Sequence, residues 1–239
     1  MQHGINWWSL HVTFFGAFDI MNRYIAPDIA HSALLVIDVQ QDFALHGAPA
    51  EIPGTLRAVP HIQSLVNEYR SASYPIIHVI RLYNSDGSNV DLCRKLAVEN
   101  GKRIVISGSD GAELVEDLQP SSKVRLDSNL LLSRKLLLIG SREWIMYKPR
   151  WGAFYNTALE DHLHSLKVDT MVICGCNFPS CPRTTIYDAN ERDFRIVLIA
   201  DATSAVYNLD LQELKNIGVP LMNSKDCISL LEVQRNGTL

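Results

Sequence analysis

The sequence predicts a three-layer α/β/α protein with a doubly wound, mostly parallel sheet of about six strands. Short apolar segments alternate along the chain with longer segments whose apolar residues recur at helical spacing. The apolar segments are also continuous, with few polar residues between the apolar ones. This pattern is typical of parallel strands that are covered by helices on both faces. We therefore expect one large α/β domain.

The composition limits the class of protein. The chain has 239 residues, of which 47% are hydrophobic and 20% charged, and its net charge is −4. These values indicate a globular domain with no basic surplus that would favour nucleic acid or a membrane surface. Five cysteines, without zinc-site or disulfide-framework spacing, indicate free thiols in the cytoplasm. We expect a small-molecule substrate, no nucleic acid and no membrane partner.

Residues 1–31 are predicted to be an N-terminal extension, and residues 32–239 the folded domain. The extension has no charged residue before Asp19, but it lacks the basic start and the cleavage site of a signal peptide. Its apolar run is too short to cross a bilayer. It contains five large aromatic residues that would form an exposed apolar patch if uncovered: Trp7, Trp8, Phe14, Phe15 and Phe18. We expect this extension to pack on the core or on a second subunit.

The predicted elements follow in order along the domain. Strands are expected at residues 33–37, 74–80, 143–148, 171–174, 195–200 and 219–222, and a short extended piece at 103–106. Helices are expected near residues 59–69, 157–166, 181–191 and 209–216, with helical character at 111–118. Thr157 and Glu160 have the spacing of a capping box. Residues 124–141 are rich in leucine without a clear period, and no element is predicted there.

Cys181 lies where a predicted buried strand turns into a helix, and Pro182 suits the first turn of that helix. A thiol at a helix start is near the positive end of the helix dipole and near free backbone N–H groups, which favour the thiolate. The same N–H groups could stabilise the oxyanion that forms when a thiolate attacks a carbonyl. The alternative is that Cys181 is simply a small buried residue.

Three predicted strands end on reactive side chains, namely Asp38, Lys148 and Cys181. The carboxyl ends of parallel strands meet at one edge of a sheet, so these residues can surround one pocket. Asp38 could accept the proton of the thiol, and Lys148 could stabilise both negative groups. Taken singly, Asp38 could instead cap a loop, and Lys148 could be a solvated surface amine.

The segments LLVIDVQQDF, YKPRWGAFYNTALEDHL and VICGCNFPSCPRTTIYDANERDF resemble the three signature regions of the isochorismatase-like cysteine hydrolases. The resemblance implies that Asp38 is the general base, Lys148 the third member of the triad and Cys181 the nucleophile. It also implies a cis peptide bond between Cys176 and Asn177. The backbone N–H groups of Asn177 and Cys181 would form the oxyanion hole.

The sequence also differs from this family in places that bear on function. Asn177 replaces a usual threonine and Pro182 a usual valine around the nucleophile. Nicotinamidases of the family bind a metal through an aspartate and two histidines after the second strand. Residues 81–91 contain no histidine, which disfavours a metal and that activity. We therefore expect an enzyme without a metal or another cofactor.

The resemblance and the thiol together predict hydrolysis of a C–N bond in a small amide, ureido or carbamoyl substrate through a Cys181 thioester. Four residues are candidates for the pocket wall: Arg81 for an anionic group, Trp151 and Phe154 for an apolar or planar body, and Asn177. Family members are commonly oligomeric, so a homo-oligomer, a dimer or tetramer, is expected. Two alternatives are a vinyl ether hydrolase of the isochorismatase type and a non-catalytic relative that binds a small ligand.

Overall fold

The computed structural model describes residues 22–120 and 124–237. Seven strands in these ranges form one sheet: β1 (Ser32–Ile37), β2 (Ile76–Ile80), β3 (Leu137–Gly140), β4 (Glu143–Tyr147), β5 (Thr170–Gly175), β6 (Arg195–Thr203) and β7 (Leu221–Met222). Their order across the sheet is β3-β4-β2-β1-β5-β6-β7. All neighbouring pairs are parallel except β3 with β4, which is antiparallel. The predicted mostly parallel α/β fold is thus confirmed, with seven strands rather than about six.

The helices of the described ranges are α1 (Gln41–Ala44), α2 (Thr55–Ser71), α3 (Leu92–Glu99), α4 (Ser128–Leu132), α5 (Leu159–Ser165), α6 (Cys181–Asn190), α7 (Asn208–Asn216) and α8 (Ser224–Arg235). α2 and α8 pack on one face of the sheet, and α5, α6 and α7 pack on the other. Among the residues of β1, Leu34 and Val36 face the first layer, whereas Leu35 and Ile37 face the second. This double coverage explains why the central strands are continuously apolar.

Several predicted elements differ from the structure. Residues 124–141 contain α4 and the edge strand β3, neither of which was predicted. The helical segment predicted at 111–118 is two short 3₁₀ turns, Asp110–Ala112 and Glu116–Leu118, and the piece at 103–106 forms only a single bridge to Tyr83. The predicted capping box is wrong: α5 begins after Ala158, and its N-cap makes no side-chain hydrogen bond.

Only the end of the predicted N-terminal extension falls within the described residues. Ile29 is buried in the core layer that contains α2 and α8. The backbone N–H of Asp28 donates to Thr170 Oγ1 at 3.0 Å, which fixes this segment at the amino end of β5. The aromatic residues predicted to pack on the core or on a second subunit lie outside the described residues. Within residues 22–120 and 124–237, no helix is both long enough and apolar enough to cross a membrane.

The order of the strands positions the candidate site. β4, β2, β1 and β5 are consecutive across the sheet, and all four run in the same direction. The residues that follow their carboxyl ends are Lys148, Arg81, Asp38 and Cys176. The connection after β1 leads to β2 on one side, whereas the connection after its other neighbour, β5, leads to β6 on the opposite side. This is the position at which open α/β sheets bind their ligands.

Candidate active site

The turn from β5 into α6 carries Cys181. Gly175, the last residue of β5, has φ +117°, and a Cβ there would lie 2.2 Å from the carbonyl oxygen of Ile37. Glycine is therefore required for β5 to approach the end of β1 this closely. The peptide bond between Cys176 and Asn177 is cis. Cys181 is the first residue of α6, and proline follows it in the first helical turn, as predicted.

The two backbone N–H groups expected to form an oxyanion hole belong to Asn177 and Cys181. In the part of the chain that the structure describes, neither N–H donates a hydrogen bond to a backbone or side-chain acceptor. The N-cap residue Ser180 does not cap the helix, because its hydroxyl donates to Asn177 Oδ1 at 2.5 Å. Both N–H groups are thus available to an external acceptor.

Asp38 follows β1 in the left-handed backbone conformation, with φ +53°. Two contacts hold this unusual backbone: the Asp38 N–H donates to the carbonyl of Val79 at 2.8 Å, and the Cys176 thiol donates to the Asp38 carbonyl at 3.0 Å. The side chain is buried, with 4% of the residue exposed. Its Oδ1 atom is buried and has no hydrogen-bond partner among the described residues. The carboxylate therefore keeps one acceptor atom available.

Lys148 connects the other two predicted residues. Its Nζ lies 2.7 Å from Asp38 Oδ2 and 3.3 Å from Cys181 Sγ. The lysine is fully buried, and Cys181 is only 4% exposed. An ammonium group that is removed from water requires an anionic partner, which Asp38 provides. The structure thus brings together the three residues that the sequence suggested, and excludes the solvated surface amine as the state of Lys148.

The electrostatic environment raises the pKa of the Cys181 thiol. Burial is the largest cause, because it disfavours the charged thiolate, and the negative charge of Asp38 acts in the same direction. Lys148 and Arg81 oppose this effect but do not overcome it. The helix start was expected to favour the thiolate, but in the free protein burial and Asp38 have the larger effect on the pKa of Cys181.

Arg81 lies next to the thiol, but it is already paired with a carboxylate. Its Nη2 is 3.9 Å from Cys181 Sγ. Its Nη1 donates to both carboxylate oxygens of Asp91, at 2.8 and 2.7 Å. Tyr83 donates its hydroxyl to the same carboxylate at 2.5 Å. Because the charge of Arg81 is compensated inside the protein, its predicted role in binding an anionic group is weakened.

The other predicted wall residues differ in position. Trp151 lies three residues after Lys148 and is 42% exposed, so it stays a candidate for the rim of the site. The Phe154 ring lies 5.8 Å from the ring of Phe194 and 4.8 Å from the guanidinium carbon of Arg192. Both neighbours follow the carboxyl end of α6, whereas Cys181 begins that helix. These contacts direct the Phe154 ring toward the carboxyl end of α6, and its place in the pocket wall stays a prediction.

Sequence reasoning missed several residues that shape the site. Gln40 is fully buried, and its side-chain amide bonds both the N–H and the carbonyl of Arg81. It thereby ties the end of β1 to the end of β2. Its position two residues after Asp38 was the available signal. A weaker signal was present for Tyr83 and Arg94. Tyr83 lies in the polar loop that follows β2, and Arg94 lies just after that loop.

None of the described residues forms a cluster of three or more histidine, cysteine, aspartate or glutamate side chains that could hold a metal ion. All five cysteines are free. Cys176 and Cys174 are buried, and burial raises the pKa of each thiol. Cys181 therefore differs from them in its direct contact with a cation, Lys148.

Comparison with known proteins places this arrangement in a family. A family model described as the isochorismatase domain matches residues 32–129 and 137–226. A probable inactive nicotinamidase of Arabidopsis thaliana is 31% identical over 195 residues, which cover 79% of this chain and 90% of the relative. Maleamate amidohydrolase of Pseudomonas putida is 27% identical over 173 residues, which cover 71% of this chain and 70% of the relative.

A solved structure agrees with these sequence matches. The isochorismatase family protein from Desulfovibrio vulgaris superposes with a TM-score of 0.72 and 29% sequence identity, covering 84% of this chain and 98% of that chain. The predicted fold and resemblance are confirmed, and membership of the family supports a hydrolase. With nearly the whole described domain matched by the family model, this chain belongs to the isochorismatase family.

Proposed function

We propose that this protein is a metal-independent cysteine hydrolase that cleaves a C–N bond of a small amide, ureido or carbamoyl compound. The observation that carries the proposal is the position of Lys148 Nζ, within 2.7 Å of Asp38 Oδ2 and 3.3 Å of Cys181 Sγ in a buried site. A base, a cation and a nucleophile in contact are the groups that thiol catalysis needs. The reducing cytoplasm, which would keep Cys181 a free thiol, is the proposed location.

In the first half of the reaction, Asp38 accepts the thiol proton on Oδ1 and Cys181 attacks the substrate carbonyl carbon. The S–C bond forms, and the carbonyl electron pair moves onto oxygen. The free N–H groups of Asn177 and Cys181 would donate to that oxygen. Lys148 stabilises the thiolate while the proton resides on Asp38. This contact with Lys148 compensates the charge of a thiolate that burial otherwise disfavours.

In the second half, the C–N bond breaks as Asp38 returns its proton to the leaving nitrogen, so that an amine or ammonia departs and a thioester remains. Water then attacks the thioester carbon and gives one proton to Asp38. The C–S bond breaks, the carboxylic acid product leaves, and the Asp38 proton returns to Cys181. One water molecule is consumed for each C–N bond cleaved.

The relatives support the general reaction but differ in activity. Maleamate amidohydrolase is named for hydrolysis of an amide, which agrees with the proposal. The Arabidopsis relative is named a probable inactive nicotinamidase. Together with the lack of histidine in residues 81–91, this name supports the proposal that nicotinamide is not a substrate here. It also keeps a non-catalytic, ligand-binding function as the second candidate.

The test is release of ammonia from a panel of small primary amides, ureides and carbamoyl compounds, with nicotinamide included. We expect at least one compound to be hydrolysed by the unchanged protein, and Cys181→Ala to lose at least about 10³-fold in kcat/KM. Cys93→Ala is the matched control, because it removes an exposed thiol and should keep full activity. A thioester adduct on Cys181, trapped by acid quench and seen by mass spectrometry, would identify the intermediate.

Two outcomes would contradict the proposal. If Cys181→Ala keeps most of the activity, the thiol is not the nucleophile, and a vinyl ether substrate becomes the better candidate. If no member of the panel is hydrolysed while amides still protect Cys181 from alkylation, the pocket binds such ligands without acting on them. That second result favours the non-catalytic relative.

A further inference from the structure

The charges around Cys181 do not balance. Lys148 is compensated by Asp38, and Arg81 is compensated by Asp91. Two further guanidinium groups remain at this edge of the sheet. Arg150, which is 49% exposed, approaches Asp91 only to 3.9 Å, and that carboxylate is already shared with Arg81 and Tyr83. The second is Arg94.

Arg94 is directed inward by the short helix α3. It lies three residues after Asp91, so it is on the same side of the helix as that buried carboxylate. Leu92 and Leu96 occupy another side and are 88% and 68% exposed. The Arg94 Nη1 donates to the Tyr83 hydroxyl at 3.3 Å, and its guanidinium carbon lies 5.1 Å from the centre of the Phe43 ring.

Throughout residues 22–120 and 124–237, no carboxylate lies within ion-pair distance of Arg94, whose recorded partners are a phenol and an aromatic face. Burying a cation without an anion is costly, and an aromatic face compensates only part of that cost. The pKa of Arg94 lies above its ordinary value although burial lowers it, and an arginine side chain stays protonated in proteins, so Arg94 keeps its charge. A half-buried, charged guanidinium near the candidate nucleophile therefore lacks an anionic partner.

We propose that Arg94 binds an anionic group of the substrate, such as a carboxylate, and thereby selects anionic small amides over neutral ones. The inference rests on the proposed function, because it requires the substrate to be bound at Cys181. The sequence suggested Arg81 for binding an anionic group, but the Arg81 guanidinium already binds Asp91. We therefore assign this role to Arg94. Arg94 is a specificity-determining residue and takes no part in bond breaking.

A chain of contacts connects Cys181 to Arg94. From Cys181 Sγ, Arg81 Nη2 lies at 3.9 Å, and Arg81 Nη1 lies 2.7 Å from Asp91 Oδ2. The Tyr83 hydroxyl lies 2.5 Å from that same oxygen and 3.3 Å from Arg94 Nη1. A guanidinium, a carboxylate and a phenol thus separate the thiol from Arg94. A substrate that meets both the thiol and Arg94 would therefore carry its amide and its anion at opposite ends.

The experiment compares alkylation of Cys181 by iodoacetate and by iodoacetamide, resolved by site with mass spectrometry. Both reagents lose iodide as the S–C bond forms, and they differ mainly in the negative charge of iodoacetate. The ratio of the two rates is therefore independent of the thiolate fraction. We expect Arg94→Gln to lower the iodoacetate-to-iodoacetamide ratio at Cys181 by about fivefold or more, since a charge-assisted hydrogen bond is lost. The rate with iodoacetamide should stay within about twofold.

Two variants serve as controls. Arg94→Lys keeps the positive charge and should restore much of the ratio. Lys95→Gln removes the same unit of charge from the neighbouring, exposed position of α3 and should leave the ratio unchanged. A measurement on the unchanged protein needs no variant: acetate should slow the reaction of Cys181 with iodoacetamide more than acetamide does at the same concentration.

The outcomes separate this inference from the proposed function. An unchanged ratio in Arg94→Gln, or an equal fall in Lys95→Gln, overturns the role of Arg94 and leaves the thiol chemistry intact. Equal protection by acetate and acetamide also overturns it. If neither reagent alkylates Cys181 in the unchanged protein, the proposed function fails, and the assignment of Arg94 fails with it.

Discussion

Two of the ionic neighbours of the Cys181 thiol have opposite effects on its pKa. Asp38 raises the pKa through its negative charge, whereas Lys148 lowers it. Reactivity and catalysis should therefore respond differently to mutation. A variant that makes the thiol easier to ionise can still lose hydrolysis if it removes the group that carries the proton.

We predict that Asp38→Asn shifts the alkylation of Cys181 by iodoacetamide to lower pH. A raised pKa keeps the thiol protonated, so removing one cause of that rise lets the thiolate form at lower pH. Hydrolysis should nevertheless fall by at least about 10²-fold, because an asparagine cannot accept the proton. Site-resolved labelling from pH 6 to 10, with kcat/KM measured in parallel, provides the test.

Lys148→Met is the matched variant for this prediction. It should shift the alkylation profile of Cys181 to higher pH, because Lys148 lowers the pKa of the thiol. Shifts in the same direction for Asp38→Asn and Lys148→Met would show that these charges do not act on the thiol as described.

Gly175 carries a second prediction for a single residue. Gly175→Ala should destabilise the protein by about 3 kcal/mol or more, since its Cβ would lie 2.2 Å from the Ile37 carbonyl oxygen at φ +117°. Gly47→Ala is the control: its φ is also positive, at +75°, but nothing lies within 4 Å of the added Cβ. That substitution should cost only about 1 kcal/mol. Urea unfolding measures both, and equal losses would exclude the close approach as the cause.

Among the secondary-structure elements, a buried ionic cluster connects α2, β2 and β4 at the amino end of the sheet. Glu143 accepts hydrogen bonds from Arg70 Nε at 2.8 Å and Nη2 at 2.7 Å, and lies 2.7 Å from His78 Nε2. The fully buried His78 is thus a hydrogen-bonded core residue. Burial raises the pKa of Glu143, but the bonds from His78 and Arg70 have the larger, opposite effect. The resulting pKa is about 2.

This cluster predicts a loss of stability in acid. The folded pKa of Glu143 is depressed from the ordinary 4.5, so its contribution is complete above about pH 4.5 and is lost as the pH falls toward 2. Glu143→Gln should lower the free energy of unfolding at pH 7 by about 3 kcal/mol. The difference from the unchanged protein should shrink between pH 5 and pH 3.

Urea-unfolding midpoints at several pH values test this prediction. Glu51→Gln is the control, because the pKa of Glu51 is also lowered, by bonds from Gly47 and His46, but the residue lies at the surface. Solvent screens such a surface interaction, so its removal should hardly change the pH dependence. A Glu143→Gln difference that stays constant from pH 7 to pH 3 would contradict the role of the carboxylate charge.

The elements that the sequence predicted correctly share a physical property. Five of the six predicted strands are continuous apolar segments covered on both faces, and the family motifs located the three residues at their ends. Two of the elements that were missed, β3 and α3, lack this signal. β3 is a short antiparallel edge strand with partly exposed residues, and α3 buries none of its residues. Their positions depend on contacts with the rest of the fold.

The candidate site also combines features that the sequence predicts with features that only the structure shows. Motif residues could be named from the sequence, but the pairing of Arg81 with Asp91 joins residues ten positions apart across a loop. The raised pKa of Cys181 depends on how deeply the thiol is buried. Neither property is encoded in local spacing. The role of Arg94 could be inferred only after the partners of Arg81 were known.

For the whole molecule, the distribution of charge contrasts with its total. The chain carries a net charge of −4, yet the described cations around the candidate site, Lys148, Arg81, Arg94 and Arg150, outnumber the anions Asp38 and Asp91. A local positive region on an acidic protein attracts anions to that region and not to the rest of the surface. This contrast supports an anionic substrate on grounds independent of any single contact.

Assembly of the whole molecule gives the last prediction, that the protein is a homo-oligomer in solution. Leu92 and Leu96 form an exposed apolar pair on α3, and the first 18 residues contain five aromatic side chains and no charge. Apolar groups of this kind are commonly covered by a second subunit. Light scattering after gel filtration should give a mass that is a multiple of 26.8 kDa. A chain that begins at Asn22 should shift toward the monomer mass if the aromatic segment contributes the contact, whereas Leu92→Gln with Leu96→Gln should do so if α3 contributes it. A single species near 26.8 kDa for the full chain would contradict the prediction.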